Sequence, residues 1–215
     1  MVMHEERKMQ AKNSTGIVDC NTIAIKIDFH VQKRYSLFCF YAIMILVSLY
    51  SGIKSTYERR ENAVQLFYGV PEDIGKWMRL VTQVRWNFPG LETQEKLDGH
   101  RATVLKFMDR QQAVCVKEGN EIAGVMLFSK KHNMICCLAV SPGYRRRGVA
   151  SMLMDEALAS LDRTKEISVS TFRAGDEKGV APRALYEKYG FVEDALIEEM
   201  GYPSQKYILH PAGAE

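Results

Sequence analysis

Beyond residue 62, apolar positions recur in two alternating rhythms, and their order predicts a layered α/β domain. Residues 64–68 read as a short strand. Pro71 opens a helix, since proline fits the first helical position, and Ile74, Trp77, Met78, Val81 and Val84 repeat at the spacing that turns one apolar stripe toward a sheet. Asn87-Phe88-Pro89-Gly90 is a turn, and 91–109 reads as a second helix with Leu97, Val104, Leu105 and Met108 inward. Apolar runs at 113–116 and 122–128 flank Gly119-Asn120, a tight hairpin signal, and Met134–Val140 follows directly. A helix over 148–161 and a strand over Ile167–Phe172 add a crossover. A helix over 181–189 ends at Gly190, and 205–210 closes as a last strand. The expected architecture is a mixed, mostly antiparallel central sheet flanked by helices, occupying 63–215.

The first 62 residues follow neither rhythm and read as an N-terminal extension. Within them, 35–53 is an uncharged run bracketed by Lys33-Arg34 and Lys54, close to the roughly 20 residues needed to span a bilayer. Six basic residues lie before it and only Lys54, Arg59 and Arg60 closely after, a bias that would send the downstream domain outside. Three readings stand: an anchor with its carboxyl side in the cytosol, a buried or interfacial helix, or a mis-assigned start followed by a true one near Val64.

Composition narrows the function classes. The chain has 215 residues, 47% hydrophobic and 26% charged, enough for one well-buried domain. A net charge of +3 gives no reason to expect nucleic acid as a partner. The five cysteines are odd in number, Cys136 and Cys137 are adjacent in an apolar run, and no C-x-x-C pair occurs. A secreted disulfide framework and a zinc site are therefore not expected.

The chemistry-bearing segment follows the strand that ends Leu138-Ala139-Val140. After the turn Ser141-Pro142-Gly143-Tyr144 comes Arg145-Arg146-Arg147-Gly148-Val149-Ala150-Ser151, leading into a helix. A helix start offers unpaired N–H groups at its positive end, Gly148 lets a ligand approach the backbone, Ala150 and Ser151 leave room, and the arginines add charge. The arrangement suits a diphosphate. It is neither a P-loop nor a Gly-x-Gly-x-x-Gly turn.

With these residues in view, the sequence resembles the GNAT superfamily of N-acetyltransferases over about 64–210. Arg145, Gly148 and Ala150 match its Arg/Gln-x-x-Gly-x-Gly/Ala signature after a Leu-Ala-Val strand end, and Tyr186 stands four residues before Gly190-Phe191 as in its second signature. The resemblance implies a GNAT-type sheet and acetyl-coenzyme A as co-substrate, with no metal. The main chain of Leu138, Ala139 and Val140 would pair with the pantetheine arm, and the amides from Arg145 to Ser151, Val149 among them, would take the pyrophosphate. The Val140 N–H would polarise the thioester, and Tyr186 would protonate the departing thiolate. Tyr189, one turn on, is the competing packing tyrosine. Gly179 and Pro182 depart from the family pattern, and Cys136 and Cys137 stand where many members carry a carboxylate base.

The acceptor would be a primary amine of a small molecule or protein, attacking directly in a ternary complex. Its cleft is expected between 85–93, with Trp86, Asn87, Phe88 and Glu92, and 171–179, with Arg173, Asp176 and Glu177. Glu92, Asp176 and Glu177 are the water-holding base candidates. Transfer of a longer acyl group and a non-catalytic acyl-coenzyme A sensor are the other readings. The expected location is the cytoplasm, with membrane association through 35–53 and a homodimer both left open.

Overall fold

The computed structural model describes residues 44–51, 53 and 63–211. The chain divides into two units, Met1–Glu58 and Arg59–Glu215. In the first, residues 44–51 are helical with exposed side chains. Most of the apolar run 35–53 lies outside the described residues, and among those described no helix is long and apolar enough to cross a membrane.

The second unit is built on seven strands: β1 (Gln65–Tyr68), β2 (Ala113–Glu118), β3 (Glu121–Ser129), β4 (Met134–Val140), β5 (Ile167–Phe172), β6 (Val192–Glu199) and β7 (Tyr202–Leu209). They form one sheet in the order β1-β2-β3-β4-β5-β7-β6, antiparallel throughout except between β4 and β5. Four helices cover it: α1 (Ile74–Val84), α2 (Gln94–Asp109), α3 (Val149–Ser160) and α4 (Val180–Lys188). The expected mixed, mostly antiparallel sheet flanked by helices is what forms.

Side chains on β2 alternate between two cores, as the pleat requires. Val114 and Val116 pack with Leu153, Met154 and Tyr186 of α3 and α4, whereas Ala113 and Cys115 pack with Trp77, Val81, Val104 and Met108 of α1 and α2. Both faces are covered, so the central strands read as continuous apolar runs. Helix α2 starts at Gln94 and not at residue 91, because the Thr93 side chain accepts the Lys96 N–H and caps the helix there. One strand was not expected: β6, whose sequence VEDALIEE is almost wholly exposed on the sheet's outer edge.

Two local features position the site. β4 pairs with β5 only through Met134↔Ser168 and Ile135↔Val169, and beyond them the two strands part. On its other side β4 stays on β3, but the register shifts between Leu127 and Phe128 so that Cys136 is an extra, bulged residue at the point of parting. Further along, Gly124 of β3 lies opposite Val140 and lacks the side chain that would strike α3. A Cβ there would sit 2.5 Å from Val149 Cγ1, so glycine sets how closely the helix start approaches the end of β4.

Candidate active site

The fork between β4 and β5 leaves main-chain groups of β4 without a strand partner. The Ser141 N–H donates to Ala123 O on β3 at 2.9 Å, and backbone direction alternates residue by residue. Hence the Ala139 amide faces β3, while those of Leu138 and Val140 face the open fork. Of the three residues expected to offer main chain here, two do.

The following loop ends in a helix start with free N–H groups and arginines around it. Arg146 and Gly148 both adopt left-handed backbone, φ 62 and 81. Gly148 is the N-cap of α3, and the first intrahelical bond runs from Met152 N–H to Gly148 O. The N–H groups of Val149, Ala150 and Ser151 therefore emerge from the positive end of the helix. Arg145, Arg146 and Arg147 are exposed around it. Arg147 is held by the Glu118 carboxylate and stacks over the Tyr144 ring at 4.8 Å.

A cleft of about 260 Å³ opens at the fork, lined by Cys136, Cys137 and Leu138 of β4, by 169–172 of β5, and by Tyr186 and Pro182 of α4. Tyr186 is 5% exposed, its ring lies beside Phe191 and Tyr207 at centroid distances of 5.9 and 6.3 Å, and its hydroxyl has no hydrogen-bond partner among the described residues. Burial, with a smaller contribution from Cys137, pushes its pKa above the ordinary tyrosine range, so it holds its proton at neutral pH. Tyr189 instead ties α4 to α3, donating to Ser151 O and the Asp155 carboxylate. Cys136 opens on the cleft, but its apolar surroundings, and secondarily Glu199, raise its pKa to about 11. Burial first, then Cys136, brings Cys137 to about 12. Neither is a ready thiolate.

The departures at Gly179 and Pro182 have a structural counterpart. A side-chain carbon at Gly179 would collide with Arg183 and with Phe172, and the Arg183 guanidinium donates to Phe172 O and Arg173 O at the end of β5. Arginine thus occupies the space a larger residue at Gly179 would need.

On the acceptor side, Asn87 and Phe88 line the cleft, as do His100, Glu199 and Met200; Trp86, Glu92, Arg173, Asp176 and Glu177 do not. Trp86 is 61% exposed. Glu92 is engaged by Lys96 and the Gly90 N–H, which hold its carboxyl down at about 2. Asp176 accepts from Tyr202 and from the Lys178 N–H and is held low by them; Arg173 bonds Ile197 O. Glu92 and Asp176 are thus engaged by neighbours outside the cleft lining. His100 was not singled out by sequence, yet it falls on the inward stripe of α2, three residues after Leu97 and four before Val104. A polar residue on an apolar stripe was the signal that could have found it.

Comparison with known proteins agrees with this geometry. Residues 109–193 match the family model of the acetyltransferase (GNAT) domain, a span running from the end of α2 through β4, the loop and Tyr186 into β6. The chain carries a GNAT domain. The fold resembles that of a GNAT-family acetyltransferase from Bacillus cereus ATCC 10987, at 22% identity and a TM-score of 0.54, covering 69% of this chain and 98% of that one. It also resembles Ard1 from Thermoplasma volcanium (18%, 0.54, covering 69% and 98%) and a PaiA N-acetyltransferase from Thermoplasma acidophilum solved in complex with coenzyme A (13%, 0.51, covering 67% and 98%). No curated protein matches the chain. These three solved structures each cover 67–69% of this chain.

Proposed function

We propose that the GNAT domain transfers an acetyl group from acetyl-coenzyme A to a primary amine, by direct attack within a ternary complex. The observation that carries this reading is the fork itself: the unpartnered Leu138 amide and a protonated Tyr186 share one cleft, and the strand that bears that amide runs on through Val140 to the helix start whose N–H groups would receive an anion. The pyrophosphate rests on the N–H groups of Val149, Ala150 and Ser151, with Arg145, Arg146 and Arg147 around it. The pantetheine arm then takes the place of a strand along the open side of β4. Leu138 lines the cleft with Tyr186 and Val140 does not, so the reading gives the thioester-polarising role to the Leu138 N–H and leaves that of Val140 to the arm. As the amine forms its bond to the acetyl carbon, charge gathers on the thioester oxygen and a fixed N–H stabilises it. The carbon–sulfur bond then breaks, Tyr186 supplies the proton to sulfur, and the proton shed by the nitrogen leaves to water, from which Tyr186 is reprotonated.

The test is release of coenzyme A thiol with a panel of amines, comparing the protein with Tyr186→Phe. The expected loss is roughly 10²- to 10⁴-fold in kcat with coenzyme A affinity unchanged. Because the Tyr186 pKa is raised, the wild-type kcat should not fall with rising pH until above the ordinary tyrosine range. Full turnover by Tyr186→Phe across that range would remove the general acid from this reading.

A further inference from the structure

We propose that the part of the cleft walled by the α1–α2 segment and the β6–β7 hairpin is a pocket for a small primary amine on an apolar stem, its nitrogen received by Asn87 Oδ1 and His100 Nε2. This rests on the acetyl-transfer reading and adds the class of acceptor.

Both atoms are buried and neither has a hydrogen-bond partner among the described residues. Both residues line the cleft that also holds Leu138 and Tyr186. Buried polar atoms are ordinarily satisfied, and two unsatisfied ones on residues that line one cavity call for a ligand that seats between those side chains. With its proton on Nδ1, His100 offers Nε2 as an acceptor, and Asn87 offers its carbonyl oxygen. A neutral primary amine has two N–H groups to give them and one lone pair left for the thioester. Burial lowers the His100 pKa, which keeps the ring an acceptor at neutral pH.

The charges lining the cleft narrow the stem. Among the described residues Glu199 is its one charged lining residue and no lysine or arginine lines it, so an incoming ammonium is drawn in, gives up its proton to water before attack, and a substrate carboxylate finds no counter-charge. Phe88, Leu91, Phe107 and Met200 line the same cavity, with Thr103 the polar lining residue that follows His100 on α2.

Met200 argues for a small molecule rather than a protein. With Gly201 it forms the two-residue connection between β6 and β7, at φ 54 and 77, a backbone that favours asparagine, aspartate or glycine over methionine. Turn geometry therefore does not account for methionine, but its position does. Its sulfur lies where a Cβ on Gly90 would come within 2.7 Å, so the hairpin and the α1–α2 segment touch across the acceptor side. A polypeptide running on in both directions would have to pass this clasp.

The test uses the full chain with acetyl-coenzyme A and, as acceptors, 2-phenylethylamine, hexylamine, phenylalanine, spermidine and an unacetylated pentapeptide. The two simple amines should exceed the other three by at least about tenfold in kcat/KM. Met200→Gly, which suits the turn, should raise the peptide rate at least about tenfold and leave coenzyme A affinity unchanged. His100→Leu should weaken 2-phenylethylamine binding to the coenzyme A-loaded protein, read by calorimetry, at least tenfold without lowering the melting temperature, since it removes an unsatisfied buried atom. A wild-type preference for phenylalanine, spermidine or peptide, or undiminished amine binding by His100→Leu, overturns the inference and leaves acetyl transfer standing. Thiol release with none of the amines, despite 2-phenylethylamine binding that His100→Leu abolishes, overturns acetyl transfer and upholds the pocket.

Discussion

In the acetyl-transfer reading, the donor side and the acceptor side of the site are built by opposite means. On the donor side β4, the loop and the start of α3 are contiguous in sequence, and what they offer is mostly main chain: the amides of Leu138, Val140, Val149, Ala150 and Ser151. On the acceptor side the groups are side chains, Asn87, His100, Glu199 and Met200, drawn from three separated segments. A main-chain site constrains sequence through conformation, demanding glycine and small residues at fixed spacing. A side-chain site constrains it only through chemistry that long-range folding brings together. Substitutions on the donor side should therefore act through backbone geometry and leave acceptor preference alone.

The sharpest break of that comparison is Gly148→Glu. Position 148 sits at φ 81, where a side chain is strained by about 1–2 kcal/mol, and a carboxylate at the N-cap would itself settle on the amides meant for the pyrophosphate. Coenzyme A affinity should fall at least roughly hundredfold by calorimetry, while the circular dichroism spectrum stays that of the folded protein. Unchanged affinity would place the donor phosphates elsewhere.

The same contrast explains what could be read from the chain. The strand ending at Val140, the loop and the helix after it were legible because their spacing is local, and Tyr186 could be separated from Tyr189 by its distance to Gly190-Phe191. β6 was not legible. Its acidic, exposed sequence has no apolar alternation, and it is a strand because β7 pairs with it along Val192↔Ile208 to Glu199↔Tyr202. Losing β6 also hid its hairpin, and with it Glu199 and Met200. The charged residues picked out instead, Glu92, Arg173 and Asp176, were conspicuous in sequence but are occupied by their own neighbours. The fork was legible only through the resemblance, which left the main chain of Leu138 to Val140 free for the pantetheine arm, since nothing in Met134–Val140 itself announces that its parallel pairing stops after two residues.

A smaller effect is expected from Gly124→Ala, which tests whether α3 is seated by close approach. The added methyl would lie 2.5 Å from Val149 Cγ1, closer than van der Waals contact allows, so the helix must shift. Overpacking of this kind costs about 1–3 kcal/mol, a fall in melting temperature of roughly 2–10 °C. The start of α3 carries the amides proposed to hold the pyrophosphate, so coenzyme A affinity should drop while the ranking of amines holds. A variant as stable as the wild type would mean that α3 has slack at this contact.

Glu118→Gln sharpens the comparison at its finest grain, because the Glu118 carboxylate pairs directly with an arginine of the donor-side loop. It grips Arg147, whose guanidinium also lies over Tyr144, and hydrogen bonds from Arg147 and then Tyr144 hold its carboxyl below the usual glutamate range. A depressed carboxyl supports the fold above the ordinary glutamate pKa and loses that support as the pH falls through its lowered value. Here the pair is largely solvated, so the melting temperature at pH 7 should move by less than about 2 °C. Its influence should be on the ligand: with the competing negative charge gone, Arg147 is released toward the phosphates. Coenzyme A should bind roughly twofold to fivefold more tightly at low ionic strength, with the gain fading at about 0.5 M salt. Weaker binding would show that Glu118 orients Arg147 for the phosphate instead of competing with it, and the donor side would then depend on a side-chain pair as well as on its main chain.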